Sequence, residues 1–178
     1  MGQFEQDTAV VKVDDGLYRG EVHEGWRVGE VPNGGYVLGI AGRVLRAALP
    51  HKDPLTVNAF FLSPTTLGPL DCRIDVLRVG GSTSFAEVGM FQDDQLKAKV
   101  TAAYTELENL QGESWTNVTR PEFPPWEACE PSPQKGIELR QRVELRMVSG
   151  KEVFTRREPD GSGVLMAGCS TGMPPRPM

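Results

Sequence analysis

The sequence predicts an α+β fold in which an antiparallel sheet wraps around one central helix. Three observations predict it. Residues 32–49 read as one long, mostly apolar helix. Four strand-like segments follow between residues 55 and 105. Short turn signals separate the last three of these, so neighbouring strands run antiparallel. A sheet with one apolar face must bury it against another element, and this helix is the element at hand.

The helix is PNGGYVLGIAGRVLRAAL, Pro32 to Leu49. Asn33 is a good N-cap, because its side-chain oxygen can accept from an orphan N–H of the first turn. From Gly34 to Leu49 only Arg43 and Arg46 are charged, which predicts a helix buried on most sides. Gly35, Gly39 and Gly42 form a stripe without side chains. Internal glycines cost roughly 0.5–1 kcal/mol each relative to alanine, so something is expected to come close. Two readings are compatible: a sheet packed tightly on the stripe, and a ligand at the helix N-terminus, where free N–H groups favour negative charge.

Before the helix, Ala9–Val13 and Leu17–Val22 read as strands around the tight turn Asp14-Asp15-Gly16. After it, Pro50 stops the helix. Leu55–Leu62 has apolar residues on both faces and is expected to be a central strand. Leu70–Val79 begins with clean alternation, Leu70, Cys72, Ile74 and Val76 against Asp71, Arg73 and Asp75. Ser84–Phe91 and Leu96–Thr105 alternate likewise, with turns at Gly80-Gly81-Ser82 and Asp93-Asp94. This helix-in-sheet layout is the hotdog arrangement. The domain is placed at residues 1–108.

Residues 109–134 are proline-rich and read as a linker. Alternation returns over Ile137–Met147, a single strand that must join a sheet, so residues 135–178 read as the start of a second, incomplete unit. Residues 159–178 lack periodicity and are expected to be irregular. A truncated or frameshifted reading frame is the expected cause.

Composition narrows the partners. The net charge of −5 gives no basic footprint for nucleic acid. No apolar run reaches the roughly 18 residues that span a membrane. No secretion signal is visible, and Cys72, Cys129 and Cys169 read as reduced thiols of a cytoplasmic protein. There is no HExxH, CxxC, GxSxG elbow, GxGxxG or P-loop, so neither a metal nor a cofactor is expected. His23 reads as structural and His51 as a solvated turn residue. Glu24 and Glu30 read as solvated loop acids.

Three stretches together resemble the acyl-CoA thioesterase family of double-hotdog proteins, in its branch related to acyl-CoA thioesterase II. They are WRVGEVPNGGYVLGIAGRVL, PLTVNAFFLSPTTLGPLDCRIDVLRVGGSTSFAEVGMFQ and LKAKVTAAYTEL, within residues 4–107. The resemblance implies that Asn33, Gly34 and Gly35 border an acyl-CoA groove. Gln92 stands where the family often has a glutamine, and Arg78 and Ser84 flank the hairpin as in the family pattern. It also implies hydrolysis of a fatty acyl-CoA to free acid and CoA by a water. The amides of Gly34 and Gly35 would hold the oxyanion, and the acyl chain would lie along the glycine stripe. Such proteins carry two hotdog halves, with their catalytic acid, hydroxyl and glutamine mainly in the second, so no catalytic aspartate carries over. The alternative is a non-catalytic acyl-CoA-binding or assembly half. A hydratase on the same fold is a third reading, and the histidine/aspartate pair it needs is not visible. A lone hotdog leaves a sheet edge and face open, so a homo-oligomer through the sheet is expected.

Overall fold

The computed structural model describes residues 2–113, 115–119, 122–131, 138–148 and 167–170. The chain divides into two compact units, Met1–Gly112 and Glu113–Met178.

The first unit opens with a short helix, α1 (Gln3–Asp7), and a hairpin of β1 (Val10–Asp14) and β2 (Leu17–Val22). A two-residue pair, β3 (Arg27–Val28) and β4 (Val31–Pro32), leads into α2 (Gly34–Ala48). Then come β5 (Asp53–Phe61), β6 (Gly68–Val79), β7 (Thr83–Gln92) and β8 (Gln95–Thr105). The six-stranded sheet has the order β1-β2-β6-β7-β8-β5, and every neighbouring pair is antiparallel. Asp93 and Asp94 turn β7 into β8 with φ of 50° and 57°, a region aspartate tolerates better than most residues.

The helix lies on this sheet as the alternation predicts. Tyr36, Val37, Ile40, Ala41, Val44 and Leu45 of α2 are buried. They meet a sheet face whose buried residues include Leu70, Cys72, Val88, Met90 and Val100. Burial pushes the Cys72 thiol up to about 12, so it stays protonated and inert in the folded chain.

The glycine stripe does something else. Gly35 is exposed and Gly39 and Gly42 are part-buried. Of the helix only Gly35, Arg46 and Ala47 are exposed, so α2 is covered on most sides, but not by the sheet alone. A Cβ on Gly39 would lie 2.7 Å from Cζ of Phe4 and 3.4 Å from Cγ2 of Thr8. At Gly39 the close approach is thus made by the N-terminal segment, while the nearest atom at Gly42 is Tyr104 Oη of β8, 4.0 Å from where a Cβ would lie.

That segment is latched down. Trp26 Nε1–H donates to Asp7 Oδ2 at 2.8 Å. The Trp26 ring stacks on Tyr36 at 5.3 Å and meets the edge of Phe4 at 5.2 Å. The Tyr36 hydroxyl reaches the carbonyl oxygens of Asp7 (2.7 Å) and Glu21 (3.0 Å), and accepts from His23 N–H (3.1 Å). Desolvation raises the Tyr36 phenol from 10 to about 12. The unfolded chain ionises first, so the contribution is complete below pH 10 and is lost as pH rises through 12. Chemical-denaturation midpoints should fall between pH 10 and 12, and the fall should be smaller in Tyr36→Phe.

Strand β5 corrects the expectation of a central strand. It pairs with β8 alone and lies at the sheet edge, not beside β6, because β6 is already flanked by β2 and β7. Its apolar residues Leu55, Val57, Phe60 and Phe61 stay exposed. Apolarity on both faces therefore marks uncovered surface here.

In the second unit, β9 (Glu130–Pro131), β10 (Glu144–Met147) and β11 (Ala167–Ser170) form a sheet in the order β11-β10-β9. The strand expected over Ile137–Met147 is limited to Glu144–Met147. Residues Glu138–Gln141 form a 3₁₀ turn, and Ile137 lies outside the described residues. Partners set this length: β11 faces Glu144–Met147, and β9 reaches only Arg146 and Met147. Residues 167–170, expected to be irregular, become a strand through the same pairing. Within this unit the Arg146 guanidinium sits 5.1 Å from the Trp126 ring centroid.

Candidate active site

The start of α2 is built as the sequence predicts. Asn33 is extended at φ −62° and ψ 132°, and its Oδ1 accepts from Tyr36 N–H at 3.2 Å. Its own N–H donates to the Trp26 carbonyl oxygen at 2.9 Å, and its carbonyl oxygen accepts from Val37 N–H at 3.1 Å. The cap thus uses the third amide of the helix. The first two, on Gly34 and Gly35, make no hydrogen bond to a described residue. Two adjacent unpaired amides at the positive end of a fifteen-residue helix can hold a negative oxygen.

A cavity of about 360 Å³ opens beside the first of them; Gly34 lines it, and Gly35 does not. Val31, Pro32, Gly34 and Val37 form one wall, and Phe61 to Thr65 form the other. The lining is mostly apolar. The exceptions are the hydroxyls of Ser63 and Thr65, and Ser63 Oγ is buried without a hydrogen-bond partner. An unpaired buried hydroxyl costs about 1–3 kcal/mol, which makes this wall receptive to an added polar group. No carboxylate or imidazole lines the cavity.

Gln92 is not among those walls. It is 7% exposed and its amide is spent on the loop between β5 and β6. Its Oε1 accepts from Thr66 N–H at 2.8 Å, and its Nε2 donates to the carbonyl oxygens of Thr66 (2.9 Å) and Pro69 (3.2 Å). A smaller hollow of about 260 Å³ lies beside it, lined by Arg19, Asp71, Asp93 and Asp94 among others. Of the candidates, Gly34 alone lines the cavity; Asn33 and Gly35 adjoin it in the chain, and Gln92 braces the loop that carries the far wall.

Among the residues weighed from sequence, His51 is the clearest departure. It is buried, not solvated. Its Nδ1 lies 2.6 Å from Ser84 Oγ and its Nε2 lies 3.4 Å from the Gly81 carbonyl oxygen. Ser84 is fully buried, so this serine–histidine pair ties the end of α2 to the β6–β7 hairpin and has no substrate access. Glu24 and Glu30 are exposed as expected, with Glu24 paired to Arg27 at 2.7 Å. His23 contributes its backbone N–H to Tyr36, and Arg78 is exposed on β6.

Residues 22–105 match the model of the acyl-CoA thioesterase N-terminal domain. That segment belongs to this family. The thioesterase-type domain has the hotdog fold, as does a similar solved protein from Alicyclobacillus acidocaldarius. The two superpose with a TM-score of 0.71 at 22% identity, over 83% of this chain and 56% of that one. A protein assigned as a thioesterase II from Thermobifida fusca YX superposes with a TM-score of 0.73 at 23% identity, over 85% and 56%. The thioesterase-like protein TwmA of Talaromyces wortmannii is 28% identical over 173 residues, 88% of this chain and 44% of TwmA. The chain thus spans about half the length of its relatives. No helix among the described residues is long and apolar enough to cross a membrane.

The sequence pointed to the helix start but missed Phe61, Ser63 and Thr65. The signal was present: Pro64 ends the strand at a point that topology carries back to the helix start.

Proposed function

We propose that this chain is the N-terminal half of a thioester hydrolase that cleaves fatty acyl-CoA to free acid and CoA. The observation that carries the reading is the start of α2, where the amides of Gly34 and Gly35 make no hydrogen bond to a described residue and Gly34 lines an apolar cavity, within the segment that matches the thioesterase model. The acyl group enters the cavity and its carbonyl oxygen turns to the two amides. Water adds to the carbonyl carbon, the C–S bond breaks, and the water's proton ends on the CoA sulfur. Oxyanion contacts of this kind are strongest in the transition state, which is where they accelerate the step. The acyl chain does not follow the glycine stripe, because Phe4 and Thr8 occupy it at Gly39.

A second reading has its own support. No titratable side chain lines the cavity, so a chain that binds acyl-CoA without cleaving it fits the same walls. A free-thiol dye with C4–C16 acyl-CoAs, run beside calorimetry, separates the two. Thiol release supports hydrolysis, and binding without release supports the second reading. Neither signal removes both.

We further infer a cytoplasmic location and pairing of two copies through the free edge of β5, where Leu55, Val57 and Phe60 are exposed. Sedimentation should give a dimer, and Val57→Lys should shift it to monomer. A monomeric parent chain would overturn this pairing.

A further inference from the structure

We propose that Phe61 sets the length of acyl group that the cavity accepts, a role that rests on the acyl-binding part of the reading above. Phe61 is the last residue of β5 and pairs with Ala98 of β8. Ala98 is buried on the helix-facing side of the sheet, and cross-strand partners share a face, so Phe61 leans toward α2. Its ring lies over the first turn: a Cβ on Gly34 would be 3.1 Å from the ring Cζ. The ring can rest there because residue 34 has no side chain.

The same ring is a wall of the cavity and is 54% exposed. It covers the Gly34 side of the first turn, while Gly35 is exposed, and β5 itself is an edge strand. The cavity's roughly 360 Å³ is near the lower end of ordinary ligand sites, about 300–1,000 Å³. An acyl chain whose carbonyl sits on the Gly34 amide starts beside the Phe61 ring, and the bulk of that ring helps decide how much of the chain the cavity encloses. The nucleotide portion of CoA stays outside. Leu62 and Pro64 continue the apolar wall beyond the ring, so a chain that passes Phe61 still meets apolar surface.

Each methylene buried contributes about fourfold in affinity, equivalent to about 0.8 kcal/mol. The parent chain should therefore gain about fourfold per carbon up to a limit and then level off or decline. Phe61→Ala should move that limit longer by two or more carbons, and Phe61→Trp should move it shorter. The ring is half exposed, so the melting temperatures of all three proteins should agree closely.

Two measurements keep this distinct from the hydrolase reading. One is kcat/KM across C4–C16 acyl-CoAs. The other is calorimetric binding of S-alkyl-CoA thioethers of the same lengths, which cannot be hydrolysed. A shifted limit in the thioether series supports the proposal even if no protein releases thiol, and in that case only the hydrolase reading fails. An identical limit in all three proteins overturns it, as does a parent chain that binds no thioether of any length.

Discussion

Gly34→Pro should fold like the parent chain and lose about 10²- to 10³-fold in kcat. Gly34 is the first residue of α2, the position where proline is best tolerated in a helix, because its missing N–H has no intrahelical partner anyway. A proline also requires an extended residue before it, and Asn33 at φ −62° and ψ 132° already has that conformation. The substitution therefore deletes one proposed oxyanion donor with little change to the helix. Loss of a single such donor costs about 2.7–4 kcal/mol in the barrier. Gly34→Ala is the matched control. It places the same Cβ 3.1 Å from the exposed Phe61 ring, which must yield by a few tenths of an ångström, and it keeps the amide. The alanine variant should retain most of the parent's turnover. Equal turnover in the proline and alanine variants would remove Gly34 from the mechanism.

The largest effect on stability is expected from Trp26→Ala, about 3–5 kcal/mol. Trp26 is buried between Phe4 and Tyr36, and its indole N–H holds Asp7. Truncation leaves a void and strips a buried carboxylate of one donor. For a unit of this size the melting temperature should fall by on the order of 15 °C. Trp26→Phe keeps a stacked ring but not the donor, and should cost less, about 1–3 kcal/mol. The alanine variant should also expose α1 to proteases, read as faster cleavage within the first eight residues. Unchanged melting with an intact N-terminus would show that the latch contributes little.

The layout of helix and sheet was legible because it rests on local periodicity. Asn33 announces a cap, Leu70 to Val76 announce a half-buried strand, and Asp93-Asp94 announces a turn, each within a few residues of chain. What escaped depends on contacts distant in sequence. Nothing near Phe4 tells that its ring fills the gap above Gly39, and nothing near His51 tells that Ser84 will bury it. The place of β5 was misjudged for a related reason. An apolar strand reads alike whether it is flanked on both sides or left uncovered. The candidate site was half legible: the helix start carries a local signal, while Phe61 to Thr65 reach it only through the pairing of β5 with β8.

Cys72 has a practical bearing on how this chain is assayed. Its sulfur is buried in β6 and held as a thiol up to about pH 12. A dye that counts the CoA sulfhydryls set free by turnover therefore receives no signal from this residue while the domain is intact. A blank without substrate counts whatever the dye reaches of Cys129 and Cys169. A further thiol in a variant's blank would then report unfolding of the first unit, so the same cuvette that measures a rate also checks whether each variant has held its shape.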